Sequence, residues 1–293
     1  MECSFPTMRR IKGTREYVWT PCGICVNCRK NRAHAWGARI YHESRGYDCS
    51  TFLTLTYDND HLPISQFGYN TLEKTAPSLF MKRLRYFLGD DKVRFFCGAE
   101  YGSTTYRAHY HLALFGVYPD DKRIFKDLMP ADSGFNCNCR AWKYGLANVS
   151  ELDIGSANYI GGYCLKKVMG KDGQDYYKSR GIEAPFALMS RRPGIGYDYM
   201  VKYASELLKF GKCQVKGSSI ALPRYYAEKL NFKETELYNK LWQENHEKLV
   251  QKFFEVTACT EDFQKFIKSN LDHRDQLAWN NQFNERIVID AKI

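Results

Sequence analysis

The chain has 293 residues, with 43 Lys and Arg against 33 Asp and Glu, a net charge of +10. Hydrophobic residues make up 44% and aromatics 15%, which excludes wholesale disorder, and no run approaches the roughly 20 apolar residues of a membrane span. The charge excess suggests an acidic partner, with nucleic acid the commonest, set against a merely solvated basic surface.

Residues 1–31 read as basic, Cys-rich and irregular, and Met1-Glu2-Cys3-Ser4-Phe5-Pro6 lacks the apolar core of a signal peptide. A helix is predicted over Arg32–Ser44, where Ala35, Trp36, Ala38, Arg39, Ile40 and Glu43 recur at helical spacing. Thr51-Phe52-Leu53-Thr54-Leu55-Thr56-Tyr57 alternates and predicts a strand. Pro77 to Leu88 carries an apolar stripe behind a helix-start proline, and Gly89 can end that helix. Val93–Tyr101 and Ala108–Phe115 read as antiparallel neighbours across the turn that starts at Gly102. The stretch 117–150 reads as irregular, Ser156–Val168 as a helix with Ser156 near its N-cap, and 170–198 as a Gly-rich basic loop region. Beyond Pro223 the pattern is charged and helical, roughly 224–255 and 260–271. This order suggests an α+β fold around an antiparallel sheet, not a regular parallel alternation.

Ala108-His109-Tyr110-His111 carries the most chemistry. Residues two apart on a strand share a face, so His109 and His111 can chelate one ion while Tyr110 points away. Glu100, across the short turn, supplies a third, oxygen ligand. Two imidazoles and a carboxylate leave positions open for phosphate and water, which suits Mg²⁺ or Mn²⁺ acting as a Lewis acid. The alternative is a surface His-x-His with no ion.

Tyr159 and Tyr163 lie one helical turn apart, followed by Lys166 and Lys167. A phenol with its usual pKa of about 10 needs a polarised phosphate and nearby positive charge to act as a nucleophile. Spacing does not choose between this pair and Tyr199/Tyr203. Tyr106/Tyr110 is set aside because it faces away from the His pair.

The eleven cysteines include Cys3 and the run Cys22-x2-Cys25-x2-Cys28. An odd count without an export signal argues for reduced thiols or metal ligands. Four thiolates, Cys3 with Cys22, Cys25 and Cys28, would make a closed structural Zn²⁺ site; the alternative is reduced cysteines in a turn. Cys137-x-Cys139 is a weaker candidate pair. Arg29, Lys30, Arg32, Lys167, Arg191 and Arg192 are candidates for holding DNA phosphates.

Several of these motifs together resemble the replication initiators of gokushovirus-like microviruses, small single-stranded DNA phages, within the HUH superfamily of rolling-circle endonucleases. The matching stretches are Phe52–Tyr57, His109-Tyr110-His111 with Phe115-Gly116, and Tyr159 to Lys167. Gly98–Gly102, Ser190–Gly196 and Pro21–Arg29 also look like the phage proteins. The resemblance covers roughly residues 1–225.

It implies a central antiparallel sheet flanked by helices, RRM- or ferredoxin-like. A Cys-rich basic segment with the first helix would occupy 1–50, the nicking domain 51–222, and a helical region 223–293. It favours Tyr159 and Tyr163 over Tyr199 and Tyr203, and gives Lys166 the charge-stabilising role. Related two-tyrosine initiators often carry Lys directly before the second tyrosine; here Gly162 stands there, and the order of use of the tyrosines stays open. The implied activity is origin nicking through a 5′-phosphotyrosine link, then strand joining to release circular single-stranded DNA. The implied partners are viral origin DNA, duplex and single-stranded, and host helicase and polymerase, without a membrane, in the cytoplasm of a bacterial host. A non-catalytic zinc-containing nucleic-acid-binding protein and a water-using metal hydrolase are the alternatives.

Overall fold

The structure is a computed structural model. It describes residues 2–258 except 5, 12, 16, 24, 103–104 and 164–169, and the side chains at 163, 170–174 and 254–258 lie outside the description. Two compact units are present: one comprises 1–32, 204–213 and 219–293, the other 33–203 and 214–218.

The strands are β1 (Thr7–Arg10), β2 (Tyr17–Thr20), β3 (Ser50–Tyr57), β4 (Arg94–Tyr101), β5 (Ala108–Phe115), β6 (Phe125–Pro130), β7 (Phe135–Cys139), β8 (Gly145–Glu151), β9 (Phe186–Met189), β10 (Lys212–Val215) and β11 (Ser218–Ala221). The helices are α1 (Val26–Ser44), α2 (Thr75–Leu88), α3 (Ile154–Tyr163), α4 (Gly170–Ser179), α5 (Tyr197–Lys202), α6 (Ala204–Phe210), α7 (Arg224–Lys229) and α8 (Glu236–Ala258). The fold is α+β, as the sequence suggests. Its seven-stranded sheet runs β6-β7-β8-β3-β5-β4-β9 with every pairing antiparallel.

Register sorts the central strands into two faces. Residues directly opposite one another across a ladder share a face. Phe52, Ala113 and Phe96 therefore form one row, Thr54, His111 and Gly98 the next, and Thr56, His109 and Glu100 the third. The first row is dry. Phe96, Ala113 and Phe115 are buried with Ile40 of α1, Ala157 and Ile160 of α3, and Ile195. Fully burying each large apolar side chain of this kind contributes about 1.5–3 kcal/mol. The crossing of α1 and α3 is close because two glycines meet there. A Cβ on Gly161 would lie 2.7 Å from the Ala33 carbonyl oxygen, and one on Gly37 would lie 2.9 Å from Asn158 Cα.

The opposite face carries Leu53, Leu55, Cys97, Ala99, Tyr110, Leu112 and Leu114, all fully buried. Tyr110 closes it: its hydroxyl accepts from the Glu73 amide at 3.0 Å and lies 3.1 Å from the Tyr57 hydroxyl. The segment that leads into α2 is thereby docked here. α2 buries Phe80, Met81, Leu84 and Leu88 and ends at Gly89, whose φ of 67° suits glycine.

Four expectations need correction. Residues 1–31 are not irregular throughout, since β1 and β2 pair as a hairpin. The stretch 117–150 contains β6, β7 and β8. The 170–198 region contains α4 and the edge strand β9. The N-cap of α3 is Asp153, not Ser156: the Ser156 amide donates to Asp153 Oδ1 at 2.7 Å and the Asp153 amide to Ser156 Oγ at 2.8 Å. This reciprocal pair is a capping box, and the Ser156 amide holds the Asp153 carboxyl below its ordinary range. The helix expected over 260–271 lies outside the described residues.

Candidate active site

The third row of the sheet face is the candidate centre. Glu100 on β4 and His109 on β5 are directly opposite, and His111 is two residues along on the same face. One ligand atom from each of the three lies within 4.8 Å of the others. Glu100 Oε1 is 3.0 Å from His109 Nε2 and 3.5 Å from His111 Nε2. Glu100 and His111 are buried, 2% and 5% exposed, so the carboxylate is held out of bulk water.

Both imidazoles are oriented from behind. His109 Nδ1 donates to the Arg107 carbonyl at 3.0 Å, which leaves Nε2 turning a lone pair towards the Glu100 carboxylate. Two facing acceptors are reconciled by a shared cation, a proton or a metal ion. His111 Nδ1 is 2.9 Å from Thr54 Oγ1, and its ring lies parallel to Phe52 with centroids 5.7 Å apart. Arg107 in turn donates to the Tyr57 carbonyl at 2.9 Å. The donor set therefore fits a hard or borderline divalent ion, with two nitrogens, one carboxylate and supported ring orientations.

α3 brings Tyr159 to this row. Its ring lies edge-on to His111 with centroids 5.3 Å apart and edge-on to Phe52 at 6.1 Å. It is 51% exposed, so the phenol is open to a large ligand. Partial burial, and then the Glu100 charge, push that phenol above its ordinary range; a cation at Glu100 would oppose the second effect.

Tyr163 ends α3, and its side chain lies outside the description. Lys166 and Lys167 lie outside the described residues. The rival pair sits elsewhere in the same unit. Tyr199 stacks flat on His42 of α1, with centroids 3.6 Å apart, and Tyr203 lies against Tyr199 at 4.6 Å. Tyr110 is on the opposite sheet face, as its place between the histidines requires.

Arg191 and Arg192 are exposed in the loop 190–196. That loop is tethered by residues that sequence reasoning does not single out as a site. The Gly196 amide donates to Glu43 Oε2 at 2.6 Å, Arg39 Nε donates to the Ile195 carbonyl at 3.0 Å, and Arg94 pairs with Glu43 at 2.6 Å. Burial pushes the Glu43 carboxyl up, against the pull of the Gly196 amide and Arg94. Sequence reasoning also leaves Thr54 and Phe52 outside the site. Their alternation with Leu53 and Leu55 is the available signal, since it puts them on the face of the histidines.

In the other unit, Cys3, Cys22, Cys25 and Cys28 are all buried, and their sulfurs lie within 4.8 Å of one another. Lys30 and Arg32 are exposed and Arg29 half-buried on the first turns of α1. Among the described residues these four cysteines and the Glu100 trio are the groups of three or more metal-ligating side chains. Cys137 and Cys139 instead point inward from β7, and burial pushes their thiols up to about 12 and about 11.

Residues 50–168 match the family model for replication-associated proteins of the ORF2 type. The chain is similar to replication-associated protein ORF4 of Chlamydia phage 1, 28% identical over 260 residues, covering 82% of this chain and 63% of that protein. It is similar to replication-associated protein VP4 of Bdellovibrio phage phiMH2K, 29% identical over 218 residues, covering 71% of this chain and 66% of that protein. It is also similar to replication-associated protein ORF2 of Spiroplasma virus 4, 27% identical over 268 residues, 88% of this chain and 79% of that protein. The chain thus spans just under two thirds of the first two relatives. No solved structure matches. These matches bear out the resemblance to phage replication initiators drawn from the motifs. No described helix is long and apolar enough to cross a membrane.

Proposed function

We propose that this relative of the phage replication-associated proteins is a rolling-circle initiator of the HUH type, a metal-dependent nickase and strand transferase. The observation that carries the reading is the half-exposed Tyr159 phenol lying against His111 of the Glu100, His109, His111 trio. Glu100, His109 and His111 would hold Mg²⁺ or Mn²⁺. When bound, the ion would act as a Lewis acid on the scissile phosphodiester.

The remaining steps belong to the chain itself. The Tyr159 oxygen attacks phosphorus and loses its proton, a P–O bond to tyrosine forms, and the bond to the 3′ oxygen breaks. That oxygen takes up a proton and leaves as a 3′-OH primer, while the 5′ end stays on tyrosine. Joining reverses the exchange: a 3′-OH attacks the phosphotyrosine, the phenol is released, and a closed strand results. No nucleotide cofactor is consumed, because one phosphodiester replaces another.

Tyr163 would serve the second transfer, and Lys166 would stabilise the charge that develops on phosphate. Lys167, Arg191 and Arg192, with Arg29, Lys30 and Arg32, would hold phosphates without reading sequence. The setting would be the cytoplasm of an infected bacterium, on viral origin DNA, with host helicase and polymerase extending the primer.

The test mixes the protein, Mn²⁺ and a labelled origin strand, then resolves covalent adduct on a denaturing gel. Tyr159→Phe with Tyr163→Phe abolishes the adduct. An adduct that persists moves the nucleophile to Tyr199 or Tyr203. Cleavage without any adduct in the unaltered protein would favour activated water. Neither cleavage nor adduct would favour a non-catalytic zinc-containing binding protein.

A further inference from the structure

The cysteine cluster is unused by the chemistry above, and the geometry points to a function of its own. We propose that Cys3, Cys22, Cys25 and Cys28 form a closed tetrathiolate Zn²⁺ site that locks the N-terminal hairpin into its unit.

Four arguments converge on it. The first is spacing. Ligands about 2.3 Å from a tetrahedral zinc sit roughly 3.8 Å apart, and Cys3 Sγ and Cys25 Sγ are 3.9 Å apart. That is far beyond the roughly 2.05 Å of a disulfide, and all four cysteines are free thiols.

The second is hydrogen bonding. The Cys22 amide points at Cys3 Sγ (3.2 Å), the Cys25 amide at Cys22 Sγ (3.3 Å), and the Cys28 amide at Cys25 Sγ (3.5 Å). A neutral thiol is a weak acceptor, whereas a thiolate repays such donors as a charged acceptor does. The third is the field. Cys25 immediately precedes α1 and Cys28 lies in its first turn, where the helix dipole favours anionic sulfur.

The fourth is composition. The cluster is sulfur throughout, with Leu249 of α8 packed against it. An all-thiolate set selects a soft or borderline ion and closes its coordination, unlike the nitrogen and oxygen set at Glu100.

The surroundings explain the need. β1 and β2 are four residues each, and an isolated two-stranded hairpin is marginal in water. Its attachments to α8 are few: Trp19 lies against Phe253 with centroids 4.2 Å apart, and the Trp19 amide donates to His246 Nε2 at 3.3 Å. Metal closure of Cys3 onto the Cys22–Cys28 turn supplies the missing constraint. On binding, each thiol that joins the ion gives up its proton to solvent.

The test uses the full chain and no DNA, so it is independent of the nicking reading. After extensive dialysis, elemental analysis is expected to find one tightly held Zn²⁺ per chain. The same value is expected in a His109→Ala/His111→Ala variant. Exchange with Co²⁺ in the unaltered protein should give sulfur-to-cobalt charge transfer and intense tetrahedral d–d absorption in the red. Cys22→Ser/Cys25→Ser should lose the zinc, and the cobalt spectrum covers the case in which that variant does not fold. The proposal is overturned by zinc that leaves with the histidines and stays without the cysteines. It is equally overturned by four thiols that react with a thiol reagent as fast with zinc as with chelator. An intact mass lowered by the hydrogens of disulfide formation, or iron–sulfur absorption in the purified chain, would also overturn it.

Discussion

The Glu100 trio and the cysteine cluster gather the same kind of side chain, potential metal ligands, by opposite means. The trio is set by a rigid ladder. Glu100 and His109 face each other because β4 and β5 pair in that register, and Thr54 and the Arg107 carbonyl fix the rings. The cysteines come from two short segments separated by the hairpin, with Cys3 distant in sequence from the other three. A site on a ladder exists before any ion arrives. A site made of loop sulfurs depends on its ion to hold its shape. The first is suited to binding and releasing a ligand beside an exposed tyrosine, the second to staying closed.

The strongest way to break this comparison is to remove one ligand from each. Cys25→Ser should unfold the N-terminal unit, because structural zinc in small domains contributes about 10–16 kcal/mol of folding free energy at neutral pH. Amide hydrogen exchange over β1, β2 and the start of α1 reads that loss. His109→Ala should leave the melting temperature nearly unchanged while adduct formation is lost and most DNA affinity is kept. Equal loss of both would make His109 a structural residue.

Acid sharpens the comparison next. His42 is buried against Tyr199 and bonded to the Gln214 carbonyl at 2.9 Å, and burial lowers its pKa to about 4. The unfolded chain takes the proton near pH 6.5, so the native state loses stability as pH falls from about 6.5 to about 4, by about 3 kcal/mol in all. Above that window the stability is fully present. His42→Phe should flatten the slope, measured by denaturant titration of the sheet unit between those pH values. An unchanged slope would place the acid sensitivity elsewhere.

A smaller effect is expected where α3 crosses α1. A methyl at Gly161 would meet the Ala33 carbonyl at 2.7 Å, the Gly37 nitrogen at 3.0 Å and Trp36 Cβ at 3.1 Å. Gly161→Ala should cost about 1–3 kcal/mol by overpacking. Because Tyr159 rides on the same helix, adduct formation should fall by on the order of 100-fold, with Mn²⁺ affinity retained. A parallel loss of Mn²⁺ binding would mean the ladder alone does not hold the trio. The smallest effect belongs to the adjacent position. A Cβ on Gly162 meets nothing within 4 Å, so Gly162→Lys should stabilise α3 by up to about 1 kcal/mol and leave adduct formation intact.

Legibility follows burial pattern. β3, β4 and β5 are readable because both faces are covered and their residues are β-branched, aromatic or aliphatic. The His-x-His pair is readable because strand period two is independent of tertiary context. β6 is not, since Phe125 is its one buried residue, and β7 offers Asn136 and Asn138 to solvent. Cys137 and Cys139 alternate inward on β7, a strand signal that a search for ligand pairs mistakes for a metal motif. β9 is four half-buried residues, too short to declare a period. Tyr159 cannot be separated from Tyr199 by spacing, because an i, i+4 pair occurs at both places and what differs is the neighbour, His111 or His42. Thr54 and the Glu43–Arg94 tether depend on contacts between segments far apart in sequence, which no local pattern encodes.

The direct opposition of Glu100 and His109 also decides where this chain can change length. One residue inserted within β4 would send Glu100 to the buried tyrosine face and leave the imidazoles facing apolar side chains. The connection from Gly102 to Arg107, closed by the Gly102 amide on the Arg107 carbonyl at 3.0 Å, sits outside that ladder. Drift in loop length between related chains should therefore concentrate in that connection. The spans 94–101 and 108–115 should keep their count, and a library that varies the turn should yield active clones where one that shifts a strand yields none.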